Sequence, residues 1–198
     1  MKNLNNKDCM FIGLSPLCTT EKAYTQYYEW LDGNPNNEDR RGHFVTFANG
    51  NKIRIANTED DYILGVCSVE TNNTGNGYKS SWQGKYITDP FDERLIEVVE
   101  IPAKANEELD ITIPAHTETR YAINPDYDES KNYVARNKRQ EWAVIGTHGQ
   151  LVVIDDGTCE VNHYCAVTEN GTATKAESKT DYRVIERIDE SHIRIVIK

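Results

Sequence analysis

The closing segment YRVIERIDESHIRIVIK (residues 182–198) decides the fold class. Ile193, Ile195 and Ile197 recur with a period of two, which places them on one face of an extended strand and describes no helix face. YRVIERI reads as the antiparallel partner of HIRIVIK, with Asp189, Glu190 and Ser191 turning the chain between them. The same grammar recurs upstream. WAVIG and QLVVI flank Thr147-His148-Gly149, and Asp155-Asp156-Gly157 makes a turn. HFVTFA and KIRIA are joined by Asn49-Gly50, a pair that tolerates positive φ and so suits a hairpin. YILGVCSV (62–69) is a buried strand candidate. A polar Asn- and Gly-rich loop over 70–81 precedes WQGKYIT.

Residues 94–123 form a different piece. Two β-like runs surround the polar link AKANEEL, and Pro102 and Pro114 punctuate edges where strand prolines are tolerated. So polar a piece forms no core of its own and reads as a projecting arm that buries its apolar face elsewhere. A charged connector, 124–140, follows. The expected fold is mainly β: a barrel-like or sandwich-like body, a projecting β-hairpin arm with its connector over 93–135, and one or two short helices.

The 198 residues suit one sizeable core with an excursion. Hydrophobic residues make up 38% and charged residues 27%, so much of the chain is surface, loop or interface. A net charge of −10 argues against nucleic acid or an anionic membrane as partner. No apolar run reaches the roughly 18 residues of a spanning helix, and the polar N-terminus reads as no signal peptide. Five cysteines, an odd and scattered set, read as free buried thiols in a reducing compartment.

Chemistry-bearing residues crowd one stretch, AYTQYYEWLDGNPNNEDRRGHFVTF (23–47). It holds Tyr24, Tyr27, Tyr28 and Trp30 among the carboxylates Glu29, Asp32, Glu38 and Asp39. Residues 20–31 wind as a short helix, with Glu29 and Asp32 on one face, or extend as an aromatic strand; the residues alone fit both. Paired carboxylates activate water or attack a peptide bond when burial separates their ionisation. The competing reading leaves the acids solvated and packs the aromatics as a clasp. Elsewhere the signals are weaker. CEVNHYC (159–165) lacks the second Cys/His pair a structural zinc site requires, so no metal is expected. No phosphate-binding glycine loop and no nucleophile elbow occur. RNKRQEW (136–142) reads as a solvated connector or interface patch.

Several strings stand in one order: YYEWLDGNPNNEDRRGHFVTF, DDYILGVCS, SSWQGKYITD, IPAHTETR, INPDYD, EWAVIGTHGQLVVIDDGTCEVNHYC, GTATKAES and YRVIERIDESHIRIVIK. Together they resemble the self-cleaving intramolecular-chaperone domain, a glutamic-type peptidase, at the C-terminus of phage neck-appendage and tailspike proteins and their prophage relatives. The resemblance covers residues 24–198. It implies a mainly β homotrimer that helps an upstream fibre or spike segment trimerise and fold in the bacterial host cytoplasm, and then cuts itself at its own N-terminal edge. Nucleotide-assisted release is implied for some members; no other cofactor, no nucleic acid and no membrane is implied.

The resemblance also assigns the chemistry. The family reads Asp-Tyr-Ala-Glu-Tyr-Phe-Glu-Trp where this chain reads AYTQYYEW, so Ala23 stands at the Asp that follows the scissile bond and Gln26 at the partner Glu. Lys22 precedes the expected cut, and 1–22 would be the arm before it. Neither Ala23 nor Gln26 serves as acid, base or nucleophile, so self-cleavage is expected to be impaired. Two alternatives remain: an active self-processing peptidase using Glu21 or Glu29, and a β-rich carbohydrate-binding or adhesion module built on Trp30, Tyr78 and Trp82.

Overall fold

The computed structural model describes residues 9–12, 15–18, 23–71, 74–75, 77, 79–106 and 111–197. Lys22, Glu21 and Tyr78 lie outside them. Numbered in chain order, the strands of the first 77 residues are Cys9–Ile12 (β1), Ser15–Cys18 (β2), Ala23–Glu29 (β3), Phe44–Asn49 (β4), Lys52–Ile55 (β5), Gly65–Ser68 (β6) and Thr74–Gly75 (β7). Next come Ile96–Ile101 (β8), Lys104–Asn106 (β9), Ile111–Ile113 (β10) and His116–Tyr121 (β11). The last third holds Trp142–Ile154 (β12), Cys165–Val167 (β13), Ala173–Lys175 (β14), Tyr182–Arg187 (β15) and His192–Ile197 (β16). The helical content among the described residues is two 3₁₀ turns, Lys79–Gly84 and Arg136–Lys138.

The chain divides into two compact units, residues 1–77 with 134–198, and residues 78–133. The first is built on an eight-stranded sheet of order β15-β16-β12-β6-β4-β5, with β3 added on β12 and β7 on β3. The sheet is open, which corrects the barrel-like expectation: β15 and β5 end the path and do not pair with each other. β15 and β16 form the expected hairpin, and Ile193 and Ile195 are fully buried. β4 and β5 pair across Asn49-Gly50, with Gly50 at φ +60°.

WAVIG and QLVVI are halves of one 13-residue strand, β12. The Thr147-His148-Gly149 signal marks a β-bulge, where the register on β3 shifts between Gly146 and His148. An inserted residue reverses which parity faces which side. Ala143 and Ile145 therefore enter a cluster with Trp30, Val45 and Ile53, while Leu151 and Val153 enter another with Phe44, Val66 and Ile193. One strand thus serves two cores.

In the unit of residues 78–133, β8 pairs antiparallel with β11 and β9 with β10. Pro102 and Pro114 fall between the two ladders, where neither must donate a strand hydrogen bond. Arg94 lies 4.6 Å from the Tyr86 ring centroid, and Tyr86 meets Tyr121 edge-on at 5.6 Å. Ile96 and Val98 are 65% and 69% exposed.

Candidate functional site

The acid-aromatic stretch begins as strand β3, not helix. Ala23, Thr25 and Tyr27 are buried, whereas Tyr24, Gln26 and Tyr28 stand on the alternate face. Ala23 pairs with Gly149 and packs in the Phe44 cluster. Beside it, the Thr25 Oγ1 lies 2.7 Å from Thr74 Oγ1 and 3.2 Å from Thr71 Oγ1, and the Thr71 hydroxyl donates to the Ala23 carbonyl at 3.4 Å. These threonines sit at the expected junction; their loop, rich in Asn and Gly, gave no sign of it.

On the other face, Gln26 is held at both ends of its amide. Its Nε2 donates to the Tyr24 hydroxyl at 2.9 Å, and the Tyr28 hydroxyl donates to its Oε1 at 2.8 Å. Burial, and then the neighbouring Tyr62 and Tyr24, hold the Tyr28 phenol above its usual pKa, so it stays a donor at neutral pH.

The carboxylates are spent on cations. Glu29 accepts from Lys52 Nζ at 2.7 Å. Glu29 closes a strand and Asp32 follows in a turn, so the shared helical face does not exist. Arg40 bridges Asp32 and Glu38 at 2.6 and 2.8 Å while lying 4.7 Å from the Trp30 ring centroid. Arg41 pairs with Asp39 at 2.5 Å. The Arg41 hydrogen bond, reinforced by the Arg41 backbone N–H, lowers the Asp39 carboxyl to about 2, and the Arg40 hydrogen bond lowers Asp32. A depressed folded pKa gives stability that is present above the unfolded value and lost as pH falls through the folded one. Unfolding midpoints should therefore drop between about pH 4 and about pH 2. Asp39→Asn should flatten that slope modestly, since the pair is solvent-screened; equal slopes in denaturant titrations would refute this.

Two cavities flank β3. One of about 550 Å³ is lined by Tyr27, Trp30, Arg40, Glu70, Arg139 and Trp142, and the Tyr27 hydroxyl donates to Glu70. The other, of about 670 Å³, opens at Ala23 between Asp39, Arg41, Gln150, His192 and Arg194. Cys67 lines both, and burial pushes its thiol up to about 12, which leaves it protonated and a poor nucleophile at neutral pH. Ser191, His192 and Asp189 form no relay: Ser191 and Asp189 both meet His192 at Nδ1. Cys159 and Cys165 are buried in the Phe44 cluster while His163 is turned to solvent, so the three do not converge. Trp30 is 2% exposed, which removes it from any sugar-stacking surface. In the connector, Arg136 stacks on Trp142 at 3.9 Å.

A family model described as Peptidase_G2, IMC autoproteolytic cleavage domain, matches residues 12–191. The pre-neck appendage protein of Bacillus phage B103 is 31% identical over 159 residues, 80% of this chain and 16% of that protein. The phage-related protein YobO of Bacillus subtilis (strain 168) is 37% identical over 152 residues, 76% of this chain and 17% of that protein. The chain thus spans less than a fifth of these curated relatives. The crystal structure of pre-mature bacteriophage phi29 gene product 12 superposes with a TM-score of 0.67 at 27% identity, covering 91% of this chain and 22% of that one. The C-terminal fragment of the same gene product gives a TM-score of 0.63 at 26% identity, with 88% and 99% covered.

Proposed function

Because this chain belongs to the family of IMC autoproteolytic cleavage domains, we propose that it is an intramolecular chaperone whose self-cleavage is impaired. It drives trimerisation and folding of an upstream appendage or spike segment, in the cytoplasm of a bacterial host. The match over residues 12–191 and the likeness to a C-terminal fragment of a phage appendage protein support the chaperone role. The exposed Ile96 and Val98 of β8 support an assembly role, since apolar strand surface of this kind favours a partner.

The observation that carries the impaired cleavage is the chemistry at residues 23 and 26. A methyl group packed in a core and an amide held by two phenols supply neither a proton acceptor nor a carboxylate nucleophile. Glu29 is a poor substitute, since Lys52 already holds its carboxylate. Freshly produced full-length chain should give an intact mass that retains residues 1–22, and a solution mass three times that of the 22.6 kDa monomer. A monomer would remove the assembly role; a fragment starting at Ala23 would remove the impaired cleavage.

A further inference from the structure

A general base works within hydrogen-bond reach, about 3 Å, of the atom it serves. Strand β3 does not allow this within one chain. Positions 23 and 26 are three residues apart on an extended strand, about 10 Å between Cα atoms, and their side chains leave on opposite faces. Ala23 enters the Phe44 cluster, whereas Gln26 shares the face of Tyr24 and Tyr28. The side chain at 26 is also fastened there, with its two amide atoms at 2.9 and 2.8 Å from the phenols. Glutamate has the same shape, and both phenols are able to donate to a carboxylate, so the clamp would hold an acid at least as firmly. Bending β3 to carry position 26 towards the bond before Ala23 would break its ladders with β12 and β7.

On the reading that this family places its chemistry at 23 and 26, we infer that the site is shared between copies: the group at 26 serves the junction before residue 23 of a second copy of the chain. The surface around Gln26 suits a protein partner. Tyr24, Phe47 and Tyr62 are exposed at 44%, 39% and 53%, and Phe47 stacks on Tyr62 with ring planes 2° apart and centroids at 6.1 Å. Exposed aromatics of this kind are enriched where proteins meet. Each copy then offers one patch, the aromatic face with residue 26, and receives on a different one, its residue-23 junction. Contacts between unlike patches run head to tail, and a rotation of one third of a turn between copies closes them into a cyclic trimer.

Complementation between chains tests this. Full-length A23D/Q26E should release residues 1–22, and A23D and Q26E produced separately should stay uncut. Co-expressed with different C-terminal tags, they should give cutting of the A23D chain alone, up to about half of it, the share seated beside a Q26E neighbour in a randomly filled ring. Cutting of A23D/Q26E with an uncut mixture would place the chemistry within one chain and overturn the proposal, leaving the cleavage reading intact. Cutting of A23D alone would also overturn it, since position 26 would then be unnecessary. A folded but uncut A23D/Q26E would remove the cleavage reading and the proposal with it.

Discussion

Gly65→Ala is expected to cost about 3 kcal/mol or more, at or above the upper end of ordinary overpacking. A methyl group there would lie 2.1 Å from the Gly146 carbonyl oxygen, 3.0 Å from its carbon and 3.2 Å from Ile145 Cγ2. The nearest atoms are backbone, so no rotamer change relieves the contact and β6 must move away from β12. Gly146→Ala is the informative comparison. Its methyl meets the Leu151 side chain, at 2.2 Å from Cδ2, and a leucine side chain can change rotamer where a backbone carbonyl cannot. Urea unfolding should rank Gly65→Ala as the worse of the two, and a loss below 1 kcal/mol for it would contradict the packing described. The effect should reach the candidate site, because Ile145 pairs with Gln26 and Gly146 with Thr25.

Arg187→Met should cost about 3 kcal/mol, the lower end for breaking a buried ion pair, since the arginine itself is partly exposed. Asp155 has no exposed side-chain surface and meets Arg187 Nη2 at 2.5 Å. The same nitrogen donates to the Cys159 carbonyl at 2.5 Å, and the Cys159 N–H donates to Asp155 Oδ1 at 3.3 Å. One guanidinium therefore joins the end of β12, the turn after it and β15. Methionine keeps the length but removes the donors and strands a buried carboxylate. D155N/R187M should be less destabilised than R187M, because the amide carries no charge to desolvate. Equal losses in the two, read from denaturant midpoints, would assign the cost to packing alone.

Much of this was legible in the residues because it is local. Alternating isoleucines gave β16, Asn49-Gly50 gave the β4–β5 hairpin, and two prolines marked where the 78–133 unit breaks into two ladders. Thr147-His148-Gly149 was harder: a Gly between β-rich runs looks alike as a connection or a bulge, and only the pairing of β12 with β3, β6 and β16 distinguishes them. The 20–31 stretch was ambiguous because its aromatics satisfy both periods, until ladders with β12 and β7 fixed Ala23–Glu29 within it as strand. Of the acids that suggested a site, Asp32, Glu38 and Asp39 lie two or eight residues from the arginines that neutralise them and Glu29 is met by the distant Lys52; nothing in sequence spacing says that Arg40 will reach both Asp32 and Glu38.

By itself, the sequence determined the mainly β class, the family resemblance and the absence of ionisable groups at Ala23 and Gln26, since these depend on residue identity and short-range periodicity. Only the tertiary structure decided that these two positions face opposite sides of one strand, that Tyr24 and Tyr28 clamp the second of them, and that one bulged strand feeds two cores. Those outcomes depend on which distant strands pair and in what register, and a period-two pattern fixes a face without naming the partner that covers it.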